Sequence, residues 1–508
     1  MKLFSCLAVS VVFAFWSGAP AKAQVVLPKI LSSHMVVQRD HPVHVWGLAE
    51  PNEQVSVTFR GETRTTTAEK LGRWSVYLKP GAAGGPFAMT VEGTLPASGA
   101  QVHPQTITLD DVLVGDVWVA SGQSNMGFEM HQAATAAEDL PKASIAELRL
   151  LNVKQTATLA PQDDLQVVGD GWAASSPETA EHFSAVAWYF AREIEQRERV
   201  PVGIIDSAWG GTPVEAWTRM TALGEDASLI PVFADWGRMI EGEPDDVLME
   251  KVHQRQINEA KAQGKPAPTF GWTPQLESWG PGMLWNGMIA PLTPYAIRGA
   301  IWYQGESNAT PNRAPLYRRI FGTMIEDWRS QWGVGDFPFL FVQIANYKAG
   351  RDDGWPLLRE QQLQTLALSN TGMAVTIDIG DPDNIHPTDK LDVGLRLARW
   401  ARVLTYGEKI EDSGPLFRQA VPEGPAIRVY FDHAGGLTAK GGAATSFEVA
   451  GADGKFVPAT AIIDGETISA SSPLVARPVA VRYGWSASPE CNLYNSDGLP
   501  ASPFTSAQ

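Results

Sequence analysis

The chain has two cysteines among 508 residues, and Cys6 falls in a leader-like opening stretch. Only Cys491 remains, so no intrachain disulfide is expected and stability has to come from burial, which a chain of this length can supply. Positive charge is also scarce: 40 Lys and Arg stand against 56 Asp and Glu, for a net charge of -16. A polyanion or an anionic membrane surface is repelled by that balance, so no nucleic-acid partner and no membrane partner are expected. No apolar run past the opening stretch reaches the length of a membrane span. Missing too are C-x-x-C, H-E-x-x-H and any His/Asp cluster at ligand spacing, so no metal is expected. Neither a Walker loop nor a G-x-G-x-x-G follows any strand-like run, and no cofactor is expected.

What is present begins with MKLFSCLAVSVVFAFWSGAPAKAQ, which has Lys2, an apolar core and a small-x-small site at Ala21-Lys22-Ala23. This predicts a signal peptide over 1–23, cut before Gln24, and export, with the bacterial periplasm as the expected address. Residues 24–109 show short alternating runs (VHVWGLA, QVSVTFRG, RWSVYLKPG, FAMTVEG) and read as a β-domain. From 110 to 410 apolar strand-like runs alternate with helical patterns. The strands are predicted at 112–120, 202–206, 298–303, 339–344 and 373–378. Val186, Phe190 and Ile194 recur at helical spacing between them, as do Tyr317, Ile320, Met324 and Trp328. The pattern implies an α/β fold, a three-layer parallel sheet with helices on both faces. A charged, helix-prone insertion interrupts it at about 220–281, and a C-terminal β-rich region is expected over 411–508.

The residues that could do chemistry sit just beyond the carboxyl ends of these strands, where such sheets gather function. In VASGQSNM, Ser124 follows the first strand and is either a nucleophile at a strand-to-helix turn or a helix N-cap. No G-x-S-x-G is present, which argues against the α/β-hydrolase elbow. After the second strand, Gly210 and Gly211 let the backbone approach a substrate oxygen, so one N–H can serve an oxyanion hole. After the third, in WYQGESN, either Gln304 or Asn308 can donate to an oxyanion; Glu306 suits an organising hydrogen bond. Trp209 and Trp302 offer faces for stacking on a sugar ring. After the fifth, DIGDPDNIHP supplies His386 as a base and three carboxylates ahead of it, Asp378, Asp381 and Asp383. Asp383, three residues before the imidazole, is best placed to turn back onto the ring, and Asp381 is the alternative. Arg219, Arg298 and Arg313 lie near these stretches and could hold a substrate carboxylate.

Taken together, GQSNM, WGGTPVEAW, WYQGESN and DxxHP followed by a helix resemble the SGNH-type carbohydrate esterases, most closely the sialate O-acetylesterase family. LSSHMVVQRDHPVHVWG and LYNSDGLPASPF resemble that family's N-terminal β-domain and C-terminal end, so the likeness runs through almost the whole chain past the leader. The resemblance implies an SGNH-hydrolase fold and a serine esterase that removes acetyl groups from sugar hydroxyls without a cofactor. Ser124 matches the family's nucleophile and His386 its base. The oxyanion hole falls on the N–H groups of Ser124 and Gly211, with Gly210 as the alternative, and on Gln304, because the related acetylxylan esterases use glutamine there. The SGNH pattern puts the acid at Asp383. An acetylxylan esterase is the nearest alternative function. A non-catalytic glycan-binding protein is a remote one, since a binder has no need of the Ser, His and Asp set.

Overall fold

The computed structural model describes residues 24–94, 104–266, 274–348 and 354–507, side chains at 242–254 excepted. The expected leader, 1–23, lies outside them. The centre of the molecule is a sheet whose strands are β1 (Gln105–Gly122), β2 (Ile145–Asn152), β3 (Val202–Ala208), β4 (Gly299–Tyr303), β5 (Phe339–Val342) and β6 (Thr371–Ala374). They run parallel in the order β6-β5-β4-β1-β3-β2, and Ala173–Ser175 adds an antiparallel edge beside β2. Helices cover both faces: α1 (Ala185–Glu198) and α4 (Leu391–Leu404) on one, α2 (Tyr317–Trp332) and α3 (Trp355–Thr365) on the other.

Strand periodicity explains the two cores. Successive side chains of a strand point to opposite faces. Trp118, Ala120, Ile204, Ile301 and Leu340 pack with Val186, Phe190 and Ile194 of α1 and Leu397 and Ala401 of α4. Their neighbours Val117, Val119, Ile205, Ala300 and Phe339 pack with Tyr317, Ile320, Met324 and Trp328 of α2. Each large apolar side chain removed from water in this way contributes about 1.5–3 kcal/mol.

Four of the six strands fall where the apolar runs predict them, and β6, predicted over 373–378, ends at Ala374. The remaining one, β2, carries Glu147 and Arg149 in its run IAELRLLN, which masks its strand character. Arg149 is nevertheless buried, because its guanidinium donates to both oxygens of Asp111 at 2.9 and 3.0 Å. The N-terminal β-domain joins the central sheet through β1. The first part of β1 pairs antiparallel with Gly84–Thr94, and its continuation pairs parallel with β3 and β4. The predicted insertion contains a 33-residue helix, Ile230–Ala262. The C-terminal region forms two four-stranded antiparallel sheets around a core of its own that includes Ile427, Val429, Phe447, Ile468 and Tyr483. Among the described residues no helix is long and apolar enough to cross a membrane.

Candidate active site

Register brings the sequence blocks to one height. Gly122 at the end of β1 pairs with Ala208 at the end of β3 and with Tyr303 at the end of β4. The chain order of the strands reverses direction at β1, the position at which open α/β sheets form their crevice. Trp209 N–H donates to Gly122 O and Gln123 N–H to Tyr303 O, each at 3.0 Å, so the three exits are tied together.

Ser124 is half-buried, and its Oγ lies 2.7 Å from Nε2 of His386, a residue 262 positions later. The segment after Ser124 is a tight turn, with Met126 and Gly127 N–H both donating to Gln123 O, and not the helix anticipated from the sequence. Ser124 therefore caps no helix. Gly210 lies against Ser124: a Cβ added there would stand 3.3 Å from Ser124 Cβ. Gly211 has φ +74°, a left-handed conformation suited to glycine. The backbone N–H groups of Ser124, Gly210 and Gly211 meet no acceptor among the described residues.

The His386 loop is held from behind by Glu306 and by two groups the sequence motifs did not single out, Asn125 and Lys390. Asn125 donates to the Ile385 carbonyl at 3.0 Å and to Glu306 Oε1 at 2.6 Å, and accepts from Lys390 Nζ at 2.6 Å. One amide thus bridges the nucleophile turn, the β4 loop and the histidine loop. Glu306 has the organising role anticipated for it, and its Oε2 is buried without a partner. Burial pushes the Glu306 carboxyl up and the Lys390 ammonium down to about 7, both towards the neutral form. Burial, and then the charge of Lys390, holds the His386 imidazole below its ordinary value. Only the spatial meeting of Asn125 and Lys390 gives them a role, and no local pattern signals that.

Several expected contacts are replaced by others. Asp383 is exposed and pairs with Lys348 Nζ at 3.0 Å; Asp381 Oδ1 accepts from Asp383 N–H, and Asp378 binds Arg396 through both oxygens. Among the described residues no carboxylate reaches Nδ1 of His386. The Gln304 amide is fully buried, and its nitrogen donates to Thr212 O at 3.1 Å and Asn308 Oδ1 at 2.7 Å. An amide nitrogen has two protons, so neither is left for an oxyanion. Asn308 is fully buried, gives one Nδ2 proton to Glu215 Oε2, and accepts on Oδ1 from the Val214 N–H and from Gln304. Both side chains brace the segment that follows Gly211.

Trp302 cannot stack on a sugar, because it is fully buried between Trp217, Phe321 and Trp328; Trp209 is half-exposed and remains available. Arg313 is bonded to Glu215 and Asp235 and lies over the Trp279 ring, while Arg219 is bonded to Asp327. Arg298 sits at the opposite end of the sheet, on Asp116. These three guanidiniums already have carboxylate partners within the chain.

A histidine-activated serine at the carboxyl ends of a parallel sheet, beside uncommitted backbone N–H groups, defines a serine hydrolase of the α/β class. Comparison with known proteins makes the class specific. Residues 272–402 match the family model described as carbohydrate esterase, sialic acid-specific acetylesterase. The sialate O-acetylesterase of Mus musculus is 31% identical, over 93% of this chain and 93% of its own length, and that of Homo sapiens is 31% identical over 96% and 94%. The crystal structure of a carbohydrate acetylesterase from Xanthomonas citri superposes with a TM-score of 0.81 at 40% identity, over 96% of this chain and all of that one. The chain belongs to the sialate O-acetylesterase family.

Proposed function

We propose that this protein is a serine esterase of SGNH type that hydrolyses O-acetyl esters of sialate. The observation that carries this is the 2.7 Å contact between Ser124 Oγ and His386 Nε2 in a chain of this family. His386 Nε2 takes the hydroxyl proton as Oγ attacks the acetyl carbonyl, and the N–H groups of Ser124 and Gly211, with Gly210 alongside, receive the oxyanion. The imidazolium then protonates the departing sugar oxygen. Water, deprotonated by the same nitrogen, releases acetate from Ser124. Trp209 supplies an apolar face for the sugar. The leader-like residues 1–23 support export to the periplasm.

Asp383 is the proposed acid. Its pair with Lys348 is exposed on both sides, and such pairs are worth about 0–1 kcal/mol, so the carboxylate is cheaply released to turn onto Nδ1. Asp378 and Asp381 are held by Arg396 and by the backbone of Asp383.

The test is a hydrolysis panel of 9-O-acetyl sialate against acetylated xylan oligomers. The sialate ester is expected to turn over with the larger kcat/KM, and the reverse order would assign the enzyme to plant polysaccharide. Ser124→Ala should lower kcat by roughly 10⁴-fold or more with an unchanged melt. A variant retaining a tenth of the activity removes Ser124 from the mechanism. Asp383→Asn is expected to lose about 10²–10⁴-fold, whereas Asp381→Asn stays within tenfold of the parent.

A further inference from the structure

Five residues past the nucleophile, away from the groups that act on the ester, three side chains converge that the sequence keeps apart. Glu129 Oε2 lies 2.8 Å from His182 Nδ1 and 3.2 Å from His131 Nδ1, and the three donor atoms all fall within 4.8 Å of one another. The two imidazoles meet edge to face with ring centroids 5.2 Å apart. The Glu181 carbonyl is 3.2 Å from His131 Nδ1 and adds a further oxygen.

The backbone beneath this cluster is fixed. Met130 N–H donates to Phe183 O at 2.9 Å and Ala185 N–H to Phe128 O at 2.8 Å, with Glu129 and Ser184 forming an antiparallel bridge between them. Ser184 Oγ donates to Met126 O at 2.6 Å, which ties the same ladder to the nucleophile turn. Glu129 is therefore held in a bridge to Ser184, with His131 in the 3-10 turn that follows it and His182 at the end of the short helix Pro177–Glu181.

One carboxylate oxygen facing two Nδ1 atoms accepts from both rings in their neutral Nδ1–H tautomers; in the Nε2–H tautomers the same three atoms are all lone-pair donors turned on one point. A divalent cation satisfies all three donors at once. Bonds of about 2.0–2.1 Å at angles between octahedral and tetrahedral leave donor atoms about 2.9–3.4 Å apart, close to the 2.8 and 3.2 Å from Glu129 Oε2 to the two rings. Two imidazoles with one carboxylate suit zinc over calcium or magnesium, which take mainly oxygen.

We infer that Glu129, His131 and His182 form a zinc site that staples the segment carrying the nucleophile turn to the segment leading into α1. His131 and His182 are exposed, so zinc enters from solvent and the remaining coordination positions are filled by water. The site makes no contact with the reacting atoms, and its role is structural.

The experiment uses the full tag-free chain, stripped with chelator and dialysed against zinc chloride. One zinc per chain is expected, with a dissociation constant in the micromolar range and a melting temperature that rises with zinc concentration, as ligand linkage requires. His131→Ala and His182→Ala should each weaken binding by about tenfold or more. Neither substitution removes a buried group, so the metal-free melt should match the parent, which separates loss of the site from loss of the fold. His433→Ala, in the Glu411, Asp412 and His433 cluster, should bind zinc as the parent does. No zinc uptake at hundredfold molar excess overturns the proposal, as does undiminished uptake by the His131→Ala/His182→Ala double variant. Esterase activity is not the readout, so this result and that of the substrate panel are independent.

Discussion

His386 is half-buried beside a lysine that is itself buried, and both features oppose the imidazolium. Since the attacking step needs a neutral ring, lowering its pKa extends activity to lower pH. In the free enzyme the acid limb of kcat/KM should therefore fall below 6.5, the ordinary imidazole value. If Asp383 leaves Lys348 for the ring once substrate is bound, the carboxylate favours the imidazolium and the acid limb of kcat moves above that of kcat/KM. In Asp383→Asn the two limbs should coincide. Coincident limbs in the parent would show that no carboxylate joins the ring during turnover. At this scale the sequence was readable where a residue type is rare at its position: a serine after a strand, a histidine behind carboxylates. It was unreadable where a role depends on packing. Trp302 and Trp209 look alike in a string, yet one is sealed in an aromatic core and the other half-exposed. Gln304 has the right chemistry for an oxyanion donor but spends both protons on Thr212 and Asn308.

Strand ends are the elements that assemble the site, and their convergence depends on close backbone approach at Gly122. Its φ is +139°, and a Cβ there would stand 2.2 Å from the Tyr303 carbonyl oxygen of the adjoining strand. Neither atom can yield, since both belong to paired strands. Gly122→Ala is expected to cost at least about 2–3 kcal/mol and to displace Ser124 from His386, so thermal melting and kcat should fall together. An alanine variant with parental activity would mean that the strand ends shift to admit the methyl group without moving Ser124 from His386. Strands buried on both faces were legible as apolar runs, because at most a single charged residue, Asp116 within 112–120 of β1 and Asp206 in β3, interrupts a run that is apolar around it. Strand β2 was not, because Arg149 breaks its run, and the ion pair that makes its burial tolerable lies with Asp111 on another strand. The same limit hid the Glu129, His131 and His182 cluster, whose third member is 51 residues from the second in sequence.

Across the whole molecule, the C-terminal region is fastened to the esterase sheet by one fully buried guanidinium. Arg359 on α3 donates to the carbonyls of Ile344 and Ala345 beyond β5, at 2.9 and 2.8 Å, and to those of Ser486 and Ala487, at 2.8 and 2.9 Å. Gln343 Nε2 adds a bond to Ser502 Oγ at 2.9 Å. A guanidinium suits this task because its planar fork of five donors serves several carbonyls at once. The Ala345 carbonyl also accepts from Trp355 Nε1, and the following Asn346 backbone lies where a Cβ on Gly380 would clash at 2.3 Å. The fastening thus abuts the loop that leads to His386. Arg359→Met keeps a long side chain and removes every donor; the Ala345 and Ala487 carbonyls keep Trp355 Nε1 and the Tyr347 N–H, while those of Ile344 and Ser486 lose their donor at about 1–3 kcal/mol each. The C-terminal region has its own core and should stay folded while its docking weakens. The expected outcome is a melt that splits into two transitions and a kcat that drops as the histidine loop loses support, whereas binding of a sugar to Trp209 is unaffected. A single unshifted transition would show that the remaining contacts, among them Gln343 with Ser502 and Glu360 with the Thr505 N–H, hold the C-terminal region to the sheet without Arg359.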